Sequence, residues 1–284
     1  REGTAVSDSL HPDRVVVGAD DQRAAGQVGS LFASTGSPLI VTDTTTAETI
    51  KYASNAFLAT KLSFVNAIAG VCESVGADVR DVILGLGYDR RIGFEFLRPG
   101  PGWGGSCLPK DTRALVHIAE AAGYDFDLLR GAIASNDAQM ARVMDKAAAA
   151  AGGTLDGVTV GVWGLTFKAG TDDRRSSPAV ALAQRLDGAG ARVRAFDPTV
   201  GPEDGPDGSG PADLAGITIC ADAYDASRGA RVVVLLTEWD EFRGLDFEKV
   251  RDLMASPAIV DARNLLDPAA LRRVGFSYTG IGRP

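Results

Sequence analysis

Apolar and polar positions along this chain follow two different rhythms, and the change between them divides it. From Thr44 to Val75 apolar residues recur at helical spacing, at Ile50, Ala53, Phe57, Leu58, Leu62, Val65 and Ile68, with no proline between them. The spacing predicts a single helix about 48 Å long at 1.5 Å per residue. Such a helix crosses a whole domain and needs partners along its length, so it is a candidate dimer core or interdomain strut. Shorter helical patterns follow at residues 78–86, 111–122 and 127–151, and the alanine-rich end of the last breaks at Gly152 and Gly153. Beyond the break, short apolar runs at 158–163, 192–196, 217–220, 231–236, 258–260 and 276–279 alternate with helical stretches, one of them opening near Pro178 and running to Leu186. That alternation predicts a parallel doubly wound sheet, with ligands at the carboxyl ends of strands, where residues 164–175, 237–239 and 261–264 fall.

Ahead of the long helix, RVVVG at 14–18, a helix-compatible segment at 20–34 and PLIVT at 38–42 read as one strand, helix, strand unit. Alone it is too small to be a domain, so its sheet is expected to be completed by other chain. The fold class is therefore α/β: a helical middle domain built on one long helix, then a Rossmann-like sheet. The Gly/Pro-rich insert between Val200 and Ala212 is expected to be a flexible surface loop.

Composition narrows the functional classes. With 284 residues and 45% hydrophobic content the chain can bury about two domain cores. A formal net charge of -8 argues against nucleic acid and membrane surfaces as partners, while local arginines could still hold an anionic small molecule. The three cysteines, Cys72, Cys107 and Cys220, lack disulfide or metal-ligand spacing, and His11 and His117 have no ligand context, so no metal is expected. No uninterrupted apolar run approaches the roughly 18 residues of a bilayer span, and the start lacks a signal-peptide pattern, so a cytoplasmic location is expected.

The densest chemistry lies in RPGPGWGGSCLPKDTR at 98–113. Glycines here let backbone take positive φ and approach a ligand closely, and Lys110 and Asp111 follow Cys107 at the start of a helical pattern, where amides and a cation favour a thiolate. Two readings stand: a catalytic thiol, or an idle cysteine in a surface turn. Cys72 and Cys220 read as core. Lys51 and Asn55, four apart, share a face of the long helix, and such polar pairs are more often structural hydrogen-bonders than catalysts.

Together, NAFLATKLSF at 55–64, GPGWGGSCLPKD at 100–111 and GLTFKAGTDDRRSSPA at 164–179 resemble the UDP-glucose/GDP-mannose dehydrogenase family of nucleotide-sugar 6-dehydrogenases. The similarity runs from Arg1 to about Thr279, and the opening REG resembles the end of the family's NPEFLREG segment. It implies a chain lacking the amino-terminal NAD-binding domain: residues 1–43 a remnant of that domain, 44–152 the central dimerisation domain, and 153–284 the UDP-sugar-binding domain. It further implies four-electron oxidation of UDP-glucose to UDP-glucuronate with two NAD and no metal, through a thiohemiacetal and a thioester on Cys107. Lys51 and Asn55 match residues beside the reacting oxygen, and Asp111 an acid assisting water or the lysine. Phe96, Leu97, Arg98, Trp103 and Gly104 match the surroundings of the nucleotide sugar, as do Phe167, Lys168 and Arg263. Arg91 matches an arginine reaching a neighbouring subunit's substrate, and Arg175 one facing the cofactor. Read without the motifs, each of these arginines would be a solvated or salt-bridged surface residue. Trp103 stands where tyrosine or phenylalanine is usual, and Ala67 and Ser176 where glutamate is frequent. A GDP-mannose or TDP-glucose substrate, or a binding and dimerisation module without turnover, are the alternatives; residues 94–97 and 116–129 resemble the UDP-glucose branch more.

Overall fold

A computed structural model of the chain describes residues 3–203 and 212–283, so positions 204–211 of the predicted flexible insert lie outside the described residues. The elements in order are α1 (Ala5–Leu10), β1 (Val15–Gly18), α2 (Gln22–Leu31), β2 (Leu39–Thr42), α3 (Thr44–Val75), α4 (Val79–Tyr88), α5 (Leu108–Ala121), α6 (Asp127–Ala150), β3 (Thr159–Trp163), α7 (Pro178–Gly188), β4 (Arg192–Phe196), β5 (Thr218–Ile219), α8 (Ala223–Ser227), β6 (Val232–Leu235), α9 (Phe247–Leu253), β7 (Ala258–Asp261), α10 (Pro268–Val274) and β8 (Ser277–Gly280).

The long helix begins and ends for local reasons. Asp43 caps α3 by accepting the Thr46 amide at 2.8 Å, and Gly76 closes it in the left-handed region at φ 73°. Its buried face carries small or polar side chains, Ala56, Ala59, Ser63, Asn66 and Ala69, so α5 and α6 approach closely. The absence of an unbroken apolar run did not anticipate one property of this helix. Thr44–Val75 is long and apolar enough by length and composition to cross a membrane, with a mean hydropathy of 1.3 over an 18-residue stretch of it. The same helix packs against the rest of the fold, which is what the core helix of a globular domain does.

The six-stranded sheet is parallel throughout in the order β5-β4-β3-β6-β7-β8, which places the reversal of strand order between β3 and β6. Strand side chains alternate faces. Val160, Val162, Val232, Val234 and Val260 join Leu182 and Leu186 of α7 and Met140, Val143 and Ala147 of α6 in one core. Trp163, Val233, Leu235 and Ile259 face the other way, onto Phe242, Val250 and Leu271. Gly152 and Gly153, at φ 100° and 101°, follow the end of α6 where the break in pattern predicted it. The packing nevertheless continues across that point, since Ala69, Cys72 and Val79 of α3 and α4 belong to the same core as the sheet. The chain end returns to seal the contact: Gly282 donates to Glu73 at 2.6 Å and accepts from the Val79 amide at 2.8 Å.

At the other end, β1 and β2 form a two-stranded parallel sheet, paired from Val15 with Leu39 to Gly18 with Thr42. Leu39, Ile40 and Val41 remain exposed on it. The short helix α1 was not expected from the pattern. One boundary shift matters for the site: α5 starts at Leu108 rather than Asp111, because Pro109 in the first turn needs no amide partner. Cys107 thereby becomes the residue at the amino-terminal cap.

Candidate active site

Because Cys107 caps α5, its carbonyl accepts the Asp111 amide at 3.0 Å, and thiol and carboxylate stand one turn apart on one helix face. The thiol is exposed, with the Ser106 hydroxyl 3.7 Å from Sγ. Asp111 is only 1% exposed. Its Oδ2 accepts from Lys51 Nζ at 2.5 Å and Asn55 Nδ2 at 2.6 Å, and its Oδ1 accepts from Lys110 Nζ at 2.5 Å. Burial pushes this carboxyl upward, but the bonds from Lys110, Lys51 and Asn55 outweigh it and hold the group down at about 2. Lys110 is raised in turn, chiefly by Asp111. The side chains of Lys51 and Lys110 stay 57% and 62% exposed, so one buried acid fixes two solvent-facing ammonium groups at the turn that bears the thiol. The arrangement offers a nucleophile and positive charge for a developing oxyanion.

The glycine loop before Cys107 is held on both sides by amides from two helices. Asn66 of α3 accepts the Gly100 amide at 2.8 Å, and Gln139 of α6 donates to the Gly100 carbonyl at 2.8 Å. Asn136 accepts the Trp103 amide at 2.7 Å and donates to the Trp103 carbonyl at 3.2 Å. Ser63 accepts the Trp103 indole N–H at 2.8 Å. Trp103 is thus a buried anchor, 6% exposed, and Leu97, earlier in the same segment, is also buried. Phe96, itself half-buried, holds a left-handed φ of 58°, a costly conformation for an aromatic residue. Arg98 is exposed.

The loop's glycines face protein. A Cβ on Gly104 would stand 2.2 Å from the Ser176 carbonyl oxygen, and Gly105, at φ 83°, donates to that oxygen at 3.1 Å while lying against the Phe167 ring. Sequence reasoning tied the glycines to a ligand, whereas their immediate use is close contact with loops of the sheet. Arg263 completes the contact. Its Nε donates to the Leu236 carbonyl at 2.8 Å and lies 3.0 Å from Glu238 Oε2, its Nη2 donates to the Phe167 carbonyl at 3.0 Å, and a Cβ on Gly100 would meet its Nη1 at 3.3 Å. Lys168 Nζ lies 5.6 Å from the centre of the Phe167 ring.

Cys107, Lys51, Asn55 and Asp111 therefore meet at the foot of α5, and Gly104, Phe167, Lys168 and Arg263 meet where the glycine loop touches the sheet. Arg91 stands apart, its exposed guanidinium bonded to Asp89 of its own turn at 2.6 Å. Arg175 is bonded to Asp173 at 2.8 Å and borders a cleft of about 690 Å³ at the amino terminus of α7, together with Arg174 and Ser177. The first α7 amides, of Ala179 and Val180, are already capped by the Ser177 hydroxyl, so the guanidinium groups are what would suit an anionic group here. Among the described residues no group of three or more His, Cys, Asp or Glu could hold a metal ion. Sequence reasoning missed Ser63, Asn66, Asn136 and Gln139, although each pair lies three apart on an otherwise buried helix face, a pattern that marks hydrogen bonding into a neighbouring backbone.

Comparison with known proteins agrees with this architecture. Residues 45–138 match the central domain of the UDP-glucose/GDP-mannose dehydrogenase family, and residues 161–268 match its UDP binding domain. The chain belongs to that family and carries those two domains. It is 44% identical over its whole length to a UDP-glucose 6-dehydrogenase of Rhizobium meliloti and 42% identical to one of Pseudomonas aeruginosa, spanning 65% and 63% of their lengths. In structure it resembles a UDP-glucose dehydrogenase from Pyrobaculum islandicum, with a TM-score of 0.87 at 33% identity over 100% of this chain and 62% of that one.

Proposed function

We propose that this chain is the sugar-nucleotide half of an NAD-dependent UDP-glucose 6-dehydrogenase. The observation that carries the reading is the joining of Cys107 to Lys51, Asn55, Lys110 and Asp111 at one helix start. The relatives named above, which act on UDP-glucose by their names, support the substrate. Cys107 Sγ adds to the aldehyde carbon formed in the first oxidation, giving a thiohemiacetal whose oxygen lies within reach of the Lys51 ammonium and the Asn55 amide. Loss of hydride from that carbon leaves a thioester, and water adds to it, releasing the carboxylic acid and the thiol. Asp111, ionised at neutral pH, raises Lys110 and holds the ammonium groups of Lys51 and Lys110 in place. NAD, when bound, supplies the hydride acceptor for each of the two oxidations, with Arg175 the residue of this chain that would meet it. Phe96, Leu97, Arg98, Trp103, Gly104, Phe167, Lys168 and Arg263 form the nucleotide-sugar side, and Arg91 serves a neighbouring subunit.

The domains divide at residues 43 and 152. The active assembly is a homodimer built on α3, on which Phe57, Phe64 and Val71 repeat one heptad apart and are exposed. Residues 1–43 belong to the cofactor domain, and the two domains that follow bind the UDP-sugar. The test is NADH formation by the full-length protein with UDP-glucose, GDP-mannose and TDP-glucose. Two NADH per UDP-glucose support the reading; a preference for GDP-mannose would overturn the substrate.

A further inference from the structure

In a nucleotide-binding βαβ unit, a carboxylate at the end of the second strand takes the ribose hydroxyls. Asp197 occupies that place, directly after β4 and beside the end of β3. Its carboxylate is not available for a ribose. Only 1% of the residue is exposed. Oδ2 accepts from the Leu165 amide at 2.7 Å, the Thr166 amide at 3.1 Å, the Thr166 hydroxyl at 3.2 Å and the Trp239 indole N–H at 3.1 Å. Oδ1 accepts from the Thr199 amide at 3.0 Å and hydroxyl at 2.8 Å. An ionised carboxylate has about four lone-pair positions, so these donors saturate it.

The donors come from the loops after β3, β4 and β6, the loops that flank the reversal of strand order. Thr237 reinforces the joint by donating from its hydroxyl to the Thr166 carbonyl at 2.6 Å. Gly164, at φ 90°, permits the approach, since a Cβ there would fall 2.3 Å from that of Thr237. One residue further on, the Phe167 carbonyl accepts Arg263 Nη2, and the Phe167 ring lies on Gly105.

We propose that Asp197 is a positioning residue: it fixes residues 165 and 166, and through them Phe167 and Lys168, against the glycine loop, shaping the sugar-nucleotide site from behind without touching the ligand. This rests on the proposed function, and its test separates the two. In the full-length protein, Asp197→Asn keeps the side chain's size but turns a donor NH2 toward N–H groups that need an acceptor. Amide exchange at Leu165 and Thr166 should speed up by about tenfold or more, and KM for UDP-glucose should rise by about tenfold while kcat stays within about threefold. Trp239→Phe and Thr199→Val, each removing one donor, should move the same quantities less, and they carry the comparison if Asp197→Asn does not fold. Unchanged exchange, or faster exchange with an unchanged KM, would overturn the proposal. Absence of UDP-glucose oxidation by the wild-type protein would count against the proposed function, while exchange at 165 and 166 would still decide whether Asp197 holds the loop.

Discussion

Two buried aspartates organise this molecule in opposite ways. Asp111 gathers the Asn55 amide and the ammonium groups of Lys51 and Lys110, whose side chains stay exposed to solvent. Asp197 gathers mostly backbone and short side-chain donors from three loops and is closed to solvent. Both carboxylates accept on both oxygens, yet only the first leaves positive charge facing outward beside a nucleophile. A carboxylate that collects side chains equips a reaction, and one that collects backbone amides sets the shape around it. Variants at the first should therefore cost rate, and variants at the second should cost order and stability.

The largest effect is expected at the thiol itself. Cys107→Ser in the full-length protein should lower uronate formation by on the order of a thousandfold or more and leave UDP-glucose binding within about twofold, measured by product yield and calorimetry. Next comes the contrast between the acids. Asp197→Ala strands several buried donors and should destabilise by about 3 kcal/mol in denaturant titration. Asp111→Asn should lower kcat by about a hundredfold with a smaller loss of stability, because the cations it releases are already exposed. Equal stability losses in the two variants would erase the distinction. Asn136→Ala leaves the amide and carbonyl of Trp103 unpaired and should destabilise by about 2 kcal/mol, read from the shift in denaturation midpoint. The smallest effect is one of pH. Asp111 is held at about 2 when folded, below the ordinary carboxylate value near 4, so its contribution is complete above that ordinary value and is lost as pH falls from about 4 toward about 2. Acid titrations of wild type and Asp111→Asn should converge across that window.

The long helix and the alternating strands were readable because period alone separates them, and the ends of α3 fell where Asp43 and Gly76 stop a helix. The start of α5 was misread by three residues because Pro109 looks like a break in a one-dimensional pattern and is in fact a first-turn residue. The motif around Cys107 drew attention to Asp111, and the family resemblance to Lys51 and Asn55, but their convergence depends on α3 crossing α5, which spacing does not encode. Asn66, Asn136 and Gln139 were legible only as polar residues on buried faces, and Asp197 only as a carboxylate at a strand end. What each bonds is set by which loops the sheet order brings together. The reach of the core across Gly152 and Gly153 was hidden for the same reason, since a chain break says nothing of what packs on either side.

The most direct test of the central claim is to mix full-length protein with UDP-glucose and NAD, quench in acid and weigh the peptide that carries Cys107. The account predicts a UDP-glucuronyl thioester on that cysteine, present during turnover and absent in Cys107→Ser. A wild-type peptide with no adduct, together with undiminished uronate from Cys107→Ser, would contradict it.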